Sequence, residues 1–161
     1  MAIYLKIDGV DGTVTEDAHK NWIELGSFQW GVGRGISTPV GNASNREASL
    51  PSISEITLTH TMDKSSINIF DLSLADAKGK KFEIDFVKTA TGSAGNVVYL
   101  HYELENTLIS GYSISSGGDM PSESFSLNFT KITEKFTDFD SGNATGTPTV
   151  KGYDLANAKP F

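Results

Sequence analysis

His19-Lys20-Asn21-Trp22-Ile23-Glu24-Leu25-Gly26-Ser27-Phe28-Gln29-Trp30-Gly31 is the stretch that decides the fold. Apolar and polar side chains alternate on both sides of Gly26-Ser27, and the parity of the apolar positions changes at that pair. A period of two indicates a strand with one buried face, and a parity change at two small residues indicates a β-bulge that bends the strand. A long bent strand with its aromatic side chains on one side is what closing a small β-barrel requires.

The segments on either side of this stretch predict a mainly β protein. Residues 3–8, 56–62, 82–87, 98–104 and 125–129 alternate in the same way, and threonines occupy successive outward positions of the second segment. We therefore expect one domain over residues 1–161, folded as a small antiparallel β-barrel.

One segment has the period of a helix. Ile67, Phe70 and Leu74 fall at i, i+3 and i+7, as on one apolar face of a helix. We expect a single flanking α-helix from about Lys64 to Lys78, ended by Gly79 in the left-handed conformation.

The segment from Ile36 to Ser52 shows neither period. It is rich in Gly, Pro, Ser and Asn, so we expect a long extended loop. A loop of this length is uncommon in a compact domain unless it has a function, which is usually binding.

The composition argues against several classes of partner. A formal net charge of −7 disfavours nucleic acid and anionic membranes, which select for basic patches. The chain has no cysteine, which excludes disulfides and thiolate metal sites. Residues 1–9 lack a basic n-region and a long apolar run, so we expect no signal peptide, no membrane insertion and no export by the general secretory route.

The three histidines show no catalytic or metal-ligand spacing. His60 lies on the apolar parity of its strand and is expected in the core or an interface, His101 lies on the outward parity, and His19 precedes a strand in a turn. The chain has no Gly-x-Ser-x-Gly motif, and its run of alternating glycines at residues 31–35 lacks the residues of a phosphate loop. We therefore expect no enzyme activity, no cofactor and no metal. A β domain without such a site, but with strand edges to cover, points to an assembly protein.

Six segments, in their order along the chain, carry a resemblance. They are IYLKID (3–8), HKNWIELGSFQWG (19–31), ITLTHTMDKSS (56–66), LISGYS (108–113), FSLNF (125–129) and GYDLA (152–156). Together they resemble the Hcp family, the hemolysin-coregulated proteins of the bacterial type VI secretion system. No single motif is diagnostic, but the ordered set covers nearly the whole chain.

The resemblance implies a homohexameric ring that stacks into a tube. A contractile sheath propels such a tube, tipped by a spike protein, into a neighbouring cell, and small effector proteins can travel in its lumen. The protein is then expected in the bacterial cytoplasm before firing and afterwards in the medium or the target cell. Some family members carry a C-terminal toxin domain, and we expect no such extension here.

The resemblance also suggests which residues make contacts between rings. The loop from Ile36 to Ser52 resembles the family's extended loop, which reaches toward the adjacent ring. Gln29, on the outward parity of its strand, is the candidate for contact with the lumen. The candidate ring-stacking residues are Thr38, Pro39, Val40, Asn42, Asn45, Arg46 and Leu50.

Two other functions are compatible with a β domain of this size. The first is a monomeric, secreted ligand-binding β-barrel with Trp22, Trp30 and Tyr102 lining a cavity. The second is a secreted hydrolase or lectin that uses an acidic pair such as Asp138 and Asp140, for which the sequence offers no spacing argument.

Overall fold

The alternating segments form strands, as their period predicts. A computed structural model describes residues 1–75, 78–90, 95–139 and 146–161. Within them lie one α-helix, α1 (Ser66–Ala75), and a 3-10 turn (Asp17–His19). The strands are β1 (Ala2–Ile7), β2 (Ile23–Leu25), β3 (Ser27–Gln29), β4 (Val32–Gly33), β5 (Ile36–Ser37), β6 (Glu47–Ala48), β7 (Ser52–Ile53), β8 (Ile56–Thr61), β9 (Lys80–Thr89), β10 (Asn96–Ser115), β11 (Ser122–Asn128), β12 (Lys131–Phe136), β13 (Thr149–Asp154) and β14 (Lys159–Pro160).

Strand β10 is the centre of the sheet. Its 20 residues pair with β9 and β12 in the first half and with β11 in the second half. Beyond these neighbours the order continues through β8 to β3 on one side and through β13 to β14 on the other, while β1 joins β9 to β2. All these pairs are antiparallel, which confirms the predicted mainly β, antiparallel class.

The sheet does not close into the predicted barrel. The long bent strand expected within residues 19–31 is divided at Gly26 into β2, which pairs with β1, and β3, which pairs with β8. A single bond from the Gly26 N–H to the Thr59 carbonyl, 2.7 Å, links the division to β8. The change of partner at this bend explains why the ladders form a folded sheet rather than a continuous ring.

The core lies on the inner side of the bent sheet. Phe28 stacks on Tyr102 with ring centroids 5.0 Å apart, and Trp30 meets the same tyrosine edge-on at 5.8 Å. Both contacts place aromatic side chains of the opening stretch against the central strand. The largest fully buried side chains are Phe82, Phe125, Leu5, Ile7, Ile23, Ile56, Leu58, Ile69, Ile84, Leu104, Leu127 and Ile132.

The helix begins as expected but faces the core with other residues. The Asp63 carboxylate accepts from the Ser65 N–H at 2.8 Å, and the Asp63 N–H donates to the Ser66 hydroxyl at 3.0 Å, so the start of the helix is capped. Ile69 is fully buried and Leu72 packs against the core. The predicted apolar face of Ile67, Phe70 and Leu74 instead points outward, with exposed fractions of 66%, 44% and 68%.

Gly79 serves a different purpose from the predicted helix stop. Its φ is not in the left-handed region, and a Cβ there would lie 2.6 Å from the Asn106 Cα. Glycine is needed because β10 passes this close, at a register shift next to Asn106, whose own φ is +51°. Residues 76–77, near the end of the helix predicted from about Lys64 to Lys78, lie outside the described residues. Among the described residues, no helix has the length and apolar character needed to cross a membrane.

Candidate functional site

The predicted loop is an ordered β-hairpin that projects from the sheet. Strands β4 and β7 pair at its base, with Val32 opposite Ile53, and β5 and β6 pair further out, with Ile36 opposite Ala48. We call residues 32–53 the arm. Six of the predicted stacking residues lie between β5 and β6 at its tip, and Leu50 lies between β6 and β7.

Hydrogen bonds hold the tip of the arm in a defined shape. The Asn42 N–H donates to the Pro39 carbonyl at 3.2 Å, and the Arg46 Nε–H donates across the arm to the Thr38 hydroxyl at 3.2 Å. The Asn42 side chain in turn accepts from the backbone N–H of Ser44 at 3.2 Å. The predicted stacking residues are therefore held together on one exposed element.

The arm exposes apolar side chains that no other described part of the chain covers. Val40 is fully exposed at the tip, Leu50 is 69% exposed, and Val32 is 54% exposed at the base. These side chains make no contribution to the core, so their apolar character suits an intermolecular contact.

Gln29 lies where the alternation predicts, on the outward side of β3. It is exposed and sits opposite Thr57 of β8, while its neighbour Phe28 packs inward. The side chain of Gln29 is therefore on the exposed side of β3.

The exposed face of α1, formed by Ile67, Phe70 and Leu74, is a second apolar surface. The ring of Phe70 lies 5.5 Å from that of Tyr112 on β10, and Ile114, two residues further along β10, is 51% exposed. A helix with buried residues on one side and exposed apolar residues on another offers a contact surface of its own.

The cavity of the alternative ligand-binding function does not form. Trp22 packs edge-on against His19 at 4.7 Å, whereas Trp30 and Tyr102 pack on each other in the core. One of the three residues, Trp30, does line a surface groove of about 190 Å³ between the base of the arm and β13, with Pro51 and Tyr153 in its walls. Binding sites for drug-sized ligands enclose roughly 300–1,000 Å³, so this groove is small for that purpose.

Two histidines share one buried carboxylate. The His19 Nε2–H donates to Asp85 at 2.8 Å, and the His101 Nδ1–H donates to the other oxygen of the same carboxylate at 2.5 Å. Glu16 contacts the remaining nitrogen of His19. The hydrogen bond to Asp85 raises the pKa of His101 against the opposing effect of burial. His19, predicted in a turn, is thus buried and ties that turn to β9.

The third histidine is in the core, as its parity predicts. His60 and Glu123 are fully buried side chains of β8 and β11, with Nε2 and Oε2 2.5 Å apart. These two atoms are close but are not aligned as a hydrogen bond. The Tyr112 hydroxyl donates to the other Glu123 oxygen at 2.5 Å, and burial together with this bond raises the pKa of Tyr112 to about 12.

The carboxylates of the alternative hydrolase do not form an observed pair. Asp138 accepts from the backbone N–H of Phe139 at 2.8 Å, and Asp140 lies outside the described residues.

Comparison with known proteins decides the family. The family model described as "Type VI secretion system effector, Hcp" matches residues 4–136. The chain belongs to the Hcp family. No curated protein sequence matches the chain.

Solved structures of type VI secretion proteins share the fold over almost the whole chain. A type six secretion system protein superposes with a TM-score of 0.89 at 24% identity, covering 99% of both chains. Hcp1 from Salmonella typhimurium gives 0.74 at 23% identity, again over 99% of both chains. A type VI secretion system effector from Yersinia pestis gives 0.72 at 23% identity over 94% of this chain and 98% of the other. The resemblance read from the sequence is therefore confirmed, and the Hcp family is that of the secreted type VI tube protein.

Proposed function

We propose that this Hcp chain forms hexameric rings that stack head to tail into a tube. A contractile sheath propels the tube, a spike protein tips it, and small effectors occupy its lumen. The chain is in the bacterial cytoplasm before the sheath contracts and reaches the medium or the target cell afterwards. Family membership supports this proposal, and the exposed arm is the observation that carries it.

The arm is suited to bind a second copy of the chain. Two short ladders secure it, and beyond its base, where Ile53 packs against the core, its side chains are exposed. Apolar burial contributes about 25 cal/mol per Å², so covering Val40 and Leu50 on a neighbouring ring stabilises the stack. A surface that meets a different surface of the next copy gives a heterologous contact, which can repeat without limit along a tube axis.

The tip and the lumen contact take separate roles. The stacking residues Thr38, Pro39, Asn42, Asn45 and Arg46 offer the polar groups that fix the register of one ring on the next. Gln29 is on a sheet strand and not on the arm, so in the proposed ring it faces the channel. A neutral amide there would contact cargo without selecting for charge.

The experiment shortens the arm without disturbing its base. Residues 38–46 are replaced by an Asn-Gly turn, which suits a two-residue hairpin connection between the paired ends Ser37 and Glu47. We expect hexamers by native mass spectrometry but no tubes by negative-stain electron microscopy. Tubes of normal length from this variant would refute the stacking role, and a monomeric wild type at every concentration would refute the ring.

A point substitution tests the same contact more gently. Val40→Asp places a charge at the tip and is expected to shorten or abolish tubes while the rings persist. Met120→Asp is the matched control, because Met120 is a 69% exposed apolar side chain in a loop away from the arm. In the producing bacterium, wild-type chain should reach the medium only when the contractile sheath is intact. Release that is independent of the sheath would contradict the proposed export.

A further inference from the structure

Three metal-binding side chains converge on the outer face of the sheet between β9 and β10. Glu83 and Glu103 lie directly opposite each other across this antiparallel pair, and His101 lies two residues from Glu103 on the same face. One ligand atom from each residue lies within 4.8 Å of the others, and all three are partly buried. This cluster, Glu83–His101–Glu103, therefore takes its side chains from both strands of the pair.

The cluster already attracts a cation from its own chain. The Lys81 ammonium lies 3.6 Å from one Glu83 oxygen and 3.3 Å from a Glu103 oxygen. The Lys6 ammonium lies 3.8 Å from the second oxygen of Glu83. Two carboxylates placed directly opposite each other repel unless positive charge lies between them, and Lys81 supplies it. Its side chain is 42% exposed, so it can leave for solvent at small cost.

The histidine is held in the orientation that a metal ligand needs. Its Nδ1–H donates to Asp85, a residue only 7% exposed, which the Nε2–H of His19 also binds. Because Nδ1 is engaged, Nε2 is the nitrogen that remains to bind an ion. A carboxylate behind a ligating imidazole fixes the ring and makes it a better donor, as in the second coordination shell of zinc proteins.

We propose that Glu83, His101 and Glu103 bind a divalent transition-metal ion of the zinc class, which displaces the Lys81 ammonium into solvent. One imidazole and two carboxylates suit Zn²⁺, which takes three protein ligands and a water. Mg²⁺ and Ca²⁺ require oxygen ligands in larger number. The bound ion ties β9 to β10 and stabilises the folded chain.

The test measures Zn²⁺ binding to the metal-free, full-length protein by titration calorimetry. We expect one saturable site per chain, with Mg²⁺ giving no heat at the same concentration. His101→Asn retains an amide facing Asp85 but loses the ligand, and should weaken Zn²⁺ binding at least tenfold. Glu105→Gln is the matched control: Glu105 is on the same strand, its carboxylate contacts Lys131 at 3.8 Å, and it is outside the cluster. Its Zn²⁺ affinity should equal that of the wild type.

Lys81→Met separates a built site from adventitious binding. Removal of the competing ammonium should tighten Zn²⁺ binding and raise the zinc-induced shift in melting temperature, because a ligand specific to the folded state stabilises it. Circular dichroism confirms that each variant is folded. Absence of saturable binding, equal affinities for wild type and His101→Asn, or weaker binding by Lys81→Met would each overturn the proposal.

Discussion

The buried pair of His60 and Glu123 provides the sharpest test of how the core is held together. Both side chains are fully buried between β8 and β11, and the Tyr112 hydroxyl completes the group. Glu123→Leu leaves the imidazole buried without its carboxylate. Breaking such a pair from one side costs about 3–5 kcal/mol, a large part of the roughly 5–15 kcal/mol that stabilises a domain.

Replacing both partners should recover most of the stability that the single substitution loses. A buried ion pair exchanged for apolar residues of similar volume is often neutral, because the desolvation of both charges is avoided. Tyr112 is only partly buried, so its hydroxyl can turn to water when Glu123 is absent. We therefore expect the free energy of unfolding of the double variant His60→Leu/Glu123→Leu to be within about 1 kcal/mol of the wild-type value.

The assay is urea unfolding followed by the fluorescence of Trp22 and Trp30. All variants are measured at one protein concentration, because assembly stabilises the folded chain by mass action. An unchanged m-value shows that the loss is one of stability rather than of two-state behaviour. The single variant His60→Leu is measured as well. If the double variant loses as much free energy of unfolding as the two single variants together, the two side chains act independently and the reasoning is refuted.

Two further predictions concern the C-terminus and pH. Gly152→Ala would place a Cβ 2.3 Å from the ring of Phe161 and 2.5 Å from a backbone carbonyl, so we expect about 1–3 kcal/mol of destabilisation by thermal unfolding; Gly117→Ala, with open space around it, is the control and should be near neutral. Asp85 raises the pKa of His101 in the folded state. That contribution to stability is complete below the ordinary histidine pKa of about 6.5 and is lost as pH rises through the raised value. Urea unfolding between pH 5 and 9 should show this decline in the wild type and a smaller one in His101→Asn; equal slopes would contradict it.

The strands could be predicted because their signal is local. Alternation at Ile3–Ile7 or Ile56–Thr61 records one buried face, and the structure places β1 and β8 there. The arm gave no such signal, because neither face of β5 or β6 is buried. Without a buried face a two-residue ladder imposes no alternation, so an ordered hairpin looks like an irregular loop.

The helix shows that a correct period does not reveal which apolar face is buried. Ile67, Phe70 and Leu74 share one side, and Ile69 and Leu72 lie on another, so the sequence contains two apolar sides. Only the position of the sheet decides that Ile69 is buried. Apolar spacing therefore located the helix but could not separate its core side from an exposed contact surface.

The opening stretch, residues 19–31, determined by itself that a strand bends at Gly26 with its aromatic side chains toward the core, because alternation and small residues are local properties. The tertiary structure decided that the two halves pair with different strands and leave the barrel open. It also decided that His19 meets Asp85, 66 residues away. Such contacts depend on which strands become neighbours, and the free energy that selects those neighbours is spread over the whole core.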